Sequence, residues 1–280
     1  MEKAVFGHGV FIYDAAATIS RYGSPALVAD ALKELDMQHA WVRIHGATQA
    51  HAATHTLPLI DALRNNGIAV AGWGWCQGDQ ISVEVELALT ALSRFELDHY
   101  VADIEDGVSE ANWTVAEIRN FLGPLRDALP DAQLGVSTFG FIPWHKPRLM
   151  EAAAEFADFF APQVYWFWFP TSRMLEAVEA SPEEYPLDSA ASYARLCMDA
   201  WSKIVDKPLV LTGQAYWGEN PDYTPDIADA KLARFVETFD RWGNLQGLNW
   251  WHMGGRGQHA MSFGMYQAIK AARLNGKFGA

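Results

Sequence analysis

The sequence contains very little cysteine. Cys76 and Cys197 are the only two in 280 residues, and neither belongs to a CxxC pair. Two thiols are too few for a disulfide framework, and the absence of paired spacing argues against a zinc site or a dithiol redox centre. We therefore interpret both cysteines as ordinary buried thiols.

Positive charge is also scarce. The chain has 21 Lys and Arg against 34 Asp and Glu, which gives a net charge of −13 at pH 7 and a pI near 5.0. The field of such a protein repels nucleic acid and anionic membrane surfaces. We predict that the protein has no nucleic-acid partner.

Long apolar runs are missing. No segment approaches the roughly 20 consecutive apolar residues of a membrane helix, so we predict no membrane span. The chain opens without the basic and apolar segments of an export signal. We expect a protein that is cytoplasmic until released, associated with a phage or other particle, or extracellular after lysis. Nothing in the sequence indicates an oligomeric state.

Several catalytic motifs are absent as well. His8 comes too early in its predicted strand to serve a barrel metal site, and HAATH at 51–55 falls in a predicted loop without a supporting acid. The chain has no GxSxG elbow for a nucleophilic serine and no Gly-rich phosphate loop after the first predicted strand. We predict that the protein uses neither a metal nor a cofactor.

The chain does contain a short apolar run followed by a helical segment, repeated eight times. The predicted strands are 5–14, 40–46, 68–77, 99–105, 133–140, 158–166, 208–216 and 245–253. The predicted helices lie near 25–36, 57–66, 81–96, 114–129, 148–157, 188–204, 225–242 and 260–274. This order predicts an α/β protein, a single (β/α)8 TIM barrel spanning residues 1–280, with 167–187 as a rim loop. The alternative is a doubly wound sheet, which would require the missing phosphate loop.

The fourth predicted strand ends in an acidic stretch, HYVADIEDG. Side chains alternate between the two faces of a strand, so Val101, Asp103 and Glu105 share the face opposite Ala102 and Ile104. If that face points into the barrel, two acids about 7 Å apart along the strand repel each other and raise one pKa. We predict that Asp103 and Glu105 form a catalytic pair and that the third acid, Asp106, is a loop or capping residue.

Other strand ends carry polar or aromatic residues that the same alternation turns inward. These pairs are Arg43 with His45, Trp73 with Trp75, Gln163 with Tyr165, Gln214 with Tyr216, and Asn249 with Trp251, and Asp14 joins them if Val10 and Ile12 point inward. Active sites of TIM barrels lie at this end of the strands, so we predict that these residues bind substrate. We expect Arg43 to pair with Asp14 or Asp103. The alternatives are a purely neutralising Arg43, a structural His45, and two glutamines that bond only one another.

Aromatic residues are unusually concentrated. The chain has 12 Trp, 9 Tyr and 15 Phe, and many of the Trp lie in the runs GWGWCQG, VYWFWFP and LNWWHMGG. Flat apolar rings bordered by polar groups suit sugars, although aromatic residues scattered through the core are the alternative. We predict that Trp73, Trp75, Trp166 and Trp251 form sugar platforms.

A family resemblance appears at these residues. The segments FIYDAA, WVRIHGATQ, LIDALRNNGIAVAGWGW and HYVADIEDG resemble the family-25 glycoside hydrolases, which are lysozyme-type muramidases. This resemblance implies that Glu105 is the proton donor, Asp103 its electrostatic partner and Asp14 a further carboxylate. The later segments QVYW and GLNWWHM are similar to family-18 chitinase-like barrels, in which Asp103 would orient the N-acetyl group of the substrate and Tyr165 would hydrogen-bond it.

Both resemblances imply an N-acetylamino-sugar polymer as the polysaccharide substrate. We predict a glycoside hydrolase, of the muramidase or endolysin type, that acts on peptidoglycan. The alternatives are a chitinase-like enzyme with substrate-assisted catalysis and a non-catalytic barrel that binds a glycan or a protein partner.

Overall fold

The computed structural model describes residues 4–108, 111–165, 170–187, 190–216, 235, 245–254, 260–272, 274 and 278. Its strands are β1 Gly7–Ile12, β2 His39–Gly46, β3 Gln49–Ala50, β4 Ala69–Cys76, β5 Tyr100–Ile104, β6 Leu134–Phe139, β7 Phe159–Val164, β8 Leu209–Gln214 and β9 Leu245–Trp251. All except β3 run parallel, and β1 pairs with both β2 and β9. The eight parallel strands therefore close into a barrel, and β3 adds only an antiparallel pairing to β2.

Helices follow the strands along the chain. They are α1 Ala15–Tyr22, α2 Pro25–Glu34, α3 Ala53–Asn65, α4 Ile81–Arg94, α5 Val115–Ala128, α6 Pro147–Ala153, α7 Ser172–Ala177, α8 Ala190–Ser202 and α9 Phe263–Ala272, with a short 3₁₀ turn at Ile142–Trp144. This architecture confirms the predicted (β/α)8 TIM barrel. None of the helices in the described ranges is long and apolar enough to cross a bilayer.

The strands separate two apolar layers. One lies inside the barrel and includes Phe11, Trp41, Trp73, Val101, Phe159 and Val210. The other lies between the barrel and the helices and includes Val10, Ile12, Ala102 and Ile104. The two layers alternate along each strand because successive side chains point to opposite faces. Val101 lies inside while its neighbours Ala102 and Ile104 face the helices, as predicted for this strand.

Several helical segments differ from the prediction. Helix α1 was not predicted, and its start is fixed by Asp14 as the N-cap. Residues 53–55 of HAATH belong to α3 and not to a loop, and α7 lies within the segment that we predicted to be an irregular rim loop. Of the helix predicted at 225–242, only residue 235 is among the described residues.

The loop between β4 and α4 is built on a buried carboxylate. Glu84 is fully buried, and its side chain accepts hydrogen bonds from the backbone N–H groups of Gln77 at 2.9 Å and Gly78 at 2.9 Å. A third N–H, that of Gln80, lies 3.5 Å away. A buried carboxylate is tolerated where backbone donors satisfy it. Glu84 thereby fixes the chain directly after the end of β4.

Replacing Glu84 by Ala should therefore destabilise the protein. The change leaves buried N–H groups without an acceptor, and we expect the free energy of unfolding to fall by about 2 kcal/mol. Urea unfolding followed by circular dichroism measures this loss. The matched control is Glu86→Ala, an exposed glutamate on the same helix, which should change stability by less than about 0.5 kcal/mol. Equal stability of the two variants would contradict the role of Glu84.

Candidate active site

Two carboxylates lie together at the carboxyl end of β5. Asp103 is 4% exposed, and Glu105 follows the last residue of the strand. Asp103 is paired in register with Trp75 of β4 and Ser137 of β6. The strand alternation that turns Val101 inward also turns these two acids toward the barrel axis.

Gln163 on β7 connects the two acids. Its side-chain nitrogen Nε2 donates to Asp103 Oδ1 at 3.0 Å and to Glu105 Oε1 at 2.5 Å, and it lies 3.3 Å from Ser137 Oγ. An amide NH₂ group has two hydrogens, so one glutamine can serve both carboxylates. Gln163 therefore fixes the distance between the acids. The alternative that Gln163 bonds only Gln214 is wrong.

Burial and mutual repulsion favour the protonated form of the pair. Burial, followed by the negative charge of Glu105, raises the pKa of Asp103 well above its usual value. Burial also raises the pKa of Glu105, against the opposing hydrogen bond from Gln163. Both shifts have the same direction, so the pair keeps a proton to higher pH than free Asp or Glu. One carboxyl group can thus donate a proton while its partner supplies negative charge.

Glu105 opens into a cavity of about 710 Å³. The walls are mostly apolar and aromatic, and the lining residues are Glu105, Val108, Phe139, Gly140, Phe141, Trp144, His145, Gln163, Tyr165, Met174, Tyr193, Tyr216 and Trp251. The volume suits a ligand of one to a few sugar rings. Aromatic faces beside a proton-holding carboxyl are the surroundings that cleavage of a glycosidic bond requires.

Tyr165 places a phenol beside the acid pair. Burial, followed by the negative charge of Glu105, raises the pKa of Tyr165 well above its usual value, so the hydroxyl keeps its proton. Its ring packs edge-on against the ring of Tyr216, with the ring centroids 6.4 Å apart. Within the described residues nothing hydrogen-bonds the Tyr165 hydroxyl, which can therefore donate to a ligand in the cavity.

Asp106, the third acid of the stretch, belongs to the loop, as the sequence predicts. Its Oδ1 accepts hydrogen bonds from the backbone N–H of Trp113 at 2.8 Å and from Lys146 Nζ at 3.0 Å. Lys146 also donates to Asn112 Oδ1 at 2.9 Å. These contacts join the loops after β5 and β6 next to Glu105.

Comparison with solved structures gives matches across nearly the whole chain. A β-galactosidase from the psychrophilic Marinomonas ef1 superimposes with a TM-score of 0.59 at 11% identity, and the match covers 95% of this chain and 58% of that one. Native xylanase 10B from Thermotoga maritima superimposes with a TM-score of 0.56 at 12% identity, and the match covers 96% of this chain and 95% of the xylanase. The mannanase catalytic domain from Streptomyces sp. SirexAA-E superimposes with a TM-score of 0.57 at 10% identity, and the match covers 92% of this chain and 78% of the mannanase.

The chain shares its fold with TIM-barrel glycoside hydrolases. No protein-family model matches the sequence, and no curated protein matches it. At 10 to 12% identity the likeness is one of fold. The resemblances to families 25 and 18 therefore remain predictions.

Asp14 does not point into the barrel. Val10 and Ile12 pack against the helices, so the condition for an inward Asp14 is not met. Its Oδ1 instead accepts from the backbone N–H of Ala17 at 2.9 Å and caps α1. The prediction that Asp14 lies inward with the strand residues is wrong, because helix capping determines the direction of this side chain.

His45 lies behind the barrel wall. The register between β2 and β4 shifts between Arg43 and His45, and this bulge turns His45 away from the axis. Its Nε2 lies 2.7 Å from the Tyr100 hydroxyl, it is fully buried, and burial lowers its pKa to about 3. A Cβ on Gly74 would lie 2.0 Å from the ring, so the neighbouring strand needs glycine there. The substrate-binding role predicted for His45 is wrong.

Three other predicted residues are buried below the cavity. Trp73 is 1% exposed and packs edge-on against Phe11, so it cannot serve as a sugar platform. Asn249 is fully buried, and its Oδ1 lies 2.7 Å from His39 Nε2. Gln214 is 2% exposed and donates to the backbone oxygen of Tyr216 at 3.1 Å. The alternation correctly turned these side chains inward, but it does not distinguish the packed interior from the open end.

The remaining aromatic residues that we predicted to bind substrate differ in position. Trp251 and Tyr216 line the cavity. Trp75 is half-buried and packs on the inner apolar layer without lining the cavity. Trp166 lies outside the described residues.

Arg43 lies at the barrel mouth without the expected carboxylate. Its guanidinium carbon is 4.5 Å from the centroid of the Tyr13 ring and 5.3 Å from that of Trp73. Its Nε donates to the backbone oxygen of His45 at 3.2 Å. Among the described residues no carboxylate lies within ion-pair distance, so the predicted pairing with Asp14 or Asp103 is wrong.

One wall of the cavity consists of residues that were not predicted from the sequence. It is formed by Phe139, Phe141, Trp144 and His145 in and after β6, together with Met174 of α7 and Tyr193 of α8. Phe139 and His145 stack with ring centroids 3.5 Å apart. The run FGFIPWH, residues 139–145, covers the end of the predicted strand 133–140 and the residues after it, and this position at a strand end could have indicated a site wall. Across the described ranges, no three His, Cys, Asp or Glu side chains converge in a way that could hold a metal ion.

Proposed function

We propose that the protein is a glycoside hydrolase in which Glu105 protonates the glycosidic oxygen and Asp103 is its buried partner. The observation that supports this most directly is the pair of carboxyl groups joined by Gln163 and opening into an aromatic cavity. Glu105 is the donor because it lines the cavity, whereas Asp103 lies beneath it at 4% exposure. General acid catalysis requires such a carboxyl group to remain protonated near neutral pH.

The proposed substrate is a polymer of N-acetylated amino sugars, with peptidoglycan as the leading candidate. The Tyr165 hydroxyl is protonated, free of partners within the described residues, and beside Glu105. The hydroxyl can therefore donate a hydrogen bond to the acetamido oxygen of a sugar. Asp103, which lies beneath the cavity, can balance the positive charge that develops on the sugar during cleavage. The resemblance to muramidases favours peptidoglycan, and the resemblance to chitinase-like barrels favours a chitin-like polymer.

The test is an assay of reducing ends released from purified peptidoglycan, chitin oligosaccharides and xylan. We expect release from one of the two polymers that contain N-acetylglucosamine and none from xylan. Cleavage of xylan alone would overturn the proposed substrate class. A protein that binds these glycans but releases no reducing ends would support the alternative of a non-catalytic barrel.

The pH dependence of hydrolysis tests the proton donor. Glu105 has a raised pKa in the folded protein, so its donor form persists above the pH at which free Glu ionises. We expect kcat/KM to fall as the pH rises through that raised pKa. The measurement is a pH profile of kcat/KM with circular dichroism at each pH to verify folding. A rate that continues to rise through neutral and alkaline pH would contradict Glu105 as the acid.

A further inference from the structure

Arg43 is held in place by aromatic rings and backbone. Its guanidinium lies over the faces of Tyr13 and Trp73, and its Nε donates to the backbone oxygen of His45. A Cβ on Gly46 would lie 2.2 Å from Arg43 Nη2, so glycine at position 46 leaves room for the guanidinium. Contacts on several sides restrict this long side chain and reduce the entropy that it would lose on binding a ligand.

The two terminal nitrogens of Arg43 have no hydrogen-bond partner among the described residues. The other contacts of the side chain are to ring faces and one backbone oxygen. This is unusual in a chain with 34 acidic residues, because a half-buried guanidinium gains stability from a carboxylate. Among the described residues, the titratable groups near Arg43 are Asp14, His45, His51 and Asp103, and neither carboxylate is within ion-pair distance.

Aromatic contacts connect Arg43 with the cavity. Tyr13 is 41% exposed, and its ring centroid lies 5.8 Å from that of Trp251, which lines the cavity. Arg43 is in register with Trp73 of β4, and Trp73 with Val101 of β5, two residues before Asp103. A glycan long enough to extend from the cavity past Trp251 and Tyr13 would therefore come beside the guanidinium.

We propose that Arg43, with Tyr13 as its platform, forms a subsite for a carboxylate carried by the glycan substrate. A guanidinium offers two parallel N–H donors, which match a carboxylate in shape and charge. The subsite rests on the proposed glycosidase function and narrows it to acidic glycans. The carboxylate can belong to a lactyl ether on an amino sugar or to a uronic acid, because both present the same chemistry.

Three disaccharides test the subsite. One combines N-acetylglucosamine with N-acetylmuramic acid, one combines glucuronic acid with N-acetylglucosamine, and neutral chitobiose lacks a carboxylate. Binding is measured by titration calorimetry with the Glu105→Gln protein, which removes turnover. We expect at least one acidic disaccharide to bind about tenfold or more tightly than chitobiose, the gain expected of a charge-assisted bidentate contact. The acid that binds more tightly identifies the source of the carboxylate.

Variants at two arginines make the test specific. Arg43→Gln in the same background should remove the preference for acidic sugars, and Arg43→Lys should keep part of it because the charge remains while the paired donors are lost. The matched control is Arg21→Gln. Arg21 also lies over a tyrosine ring, that of Tyr22, and donates to one backbone oxygen, that of Met261, but it is exposed on α1 and lies over neither Tyr13 nor Trp73. It should keep the full preference.

Other outcomes overturn the proposal. The subsite is contradicted if all three sugars bind equally or if neither acidic sugar binds. It is also contradicted if the preference for acidic sugars survives in Arg43→Gln. The hydrolysis assay is read separately. If the wild-type protein cleaves glycans without preferring acidic ones, the glycosidase function stands and the subsite fails. If it cleaves nothing but Arg43 still determines the preference in binding, the subsite stands and the glycosidase function fails.

Discussion

Replacing Glu105 by Gln should reduce kcat/KM for glycan hydrolysis by about 10³-fold, within the range that general acids contribute. The amide is nearly the same size and can still accept the hydrogen bond from Gln163, but it has no proton to give to the glycosidic oxygen. The loss should therefore appear in kcat more than in KM. Initial rates of reducing-end release measure it. Full activity of the variant would exclude Glu105 as the proton donor.

The Glu105→Gln variant should be at least as stable as the wild type, although its activity falls. The folded protein raises the pKa of Glu105, so the wild type loses stability as the pH rises through that value. The variant has no such ionisation, and we expect it to melt no lower than the wild type at neutral pH and relatively higher as the pH increases. The matched control is Glu151→Gln on α6, an exposed glutamate, which should leave both activity and stability unchanged.

Replacing Gln163 by Met should disturb both carboxylates together. Methionine has a similar length but no N–H, so Asp103 and Glu105 lose the donor that they share. We expect kcat/KM to fall about 10² -fold because the acid is no longer held at the right position. The free energy of unfolding should fall by about 2 kcal/mol at neutral pH, since buried carboxyl groups lose a hydrogen bond.

The pH profile distinguishes this role from simple packing. The hydrogen bond from Gln163 lowers the pKa of both acids against the effect of burial. Its removal should move the alkaline fall in kcat/KM to higher pH, which a mere packing defect would not do. Ser137→Ala is the comparison, because Ser137 hydrogen-bonds Asp103 and not Glu105 and should give a smaller shift. An unchanged profile in Gln163→Met would show that Gln163 does not influence the donor.

The sequence predicted the barrel and its central acids well because both depend on local alternation. Each apolar strand followed by a helical segment marked one unit of the fold, and the placement of Val101 opposite Ala102 determined the face that Asp103 and Glu105 share. The same alternation turned Gln163 toward them from β7. These positions follow from the period of two residues along a strand and from the common edge at which parallel strands end.

The rest depended on contacts between distant residues or on departures from the alternation. Asp14 left the barrel face because it caps α1, and a register shift in β2 placed His45 behind the wall. Neither a cap nor a bulge is visible in a pattern of apolar residues.

By itself the sequence determined the closed barrel, the inward acids and the excess of aromatic residues, since composition and strand period specify them. Only the tertiary structure decided which inward groups meet. It joined the acid pair through Gln163, buried Trp73 beneath the cavity and built one wall from the segment after β6. Within the described part of the chain it left Arg43 without a carboxylate at ion-pair distance. The physical reason is that barrel closure brings strands far apart in sequence to one axis, where depth and register determine the contacts that each side chain makes.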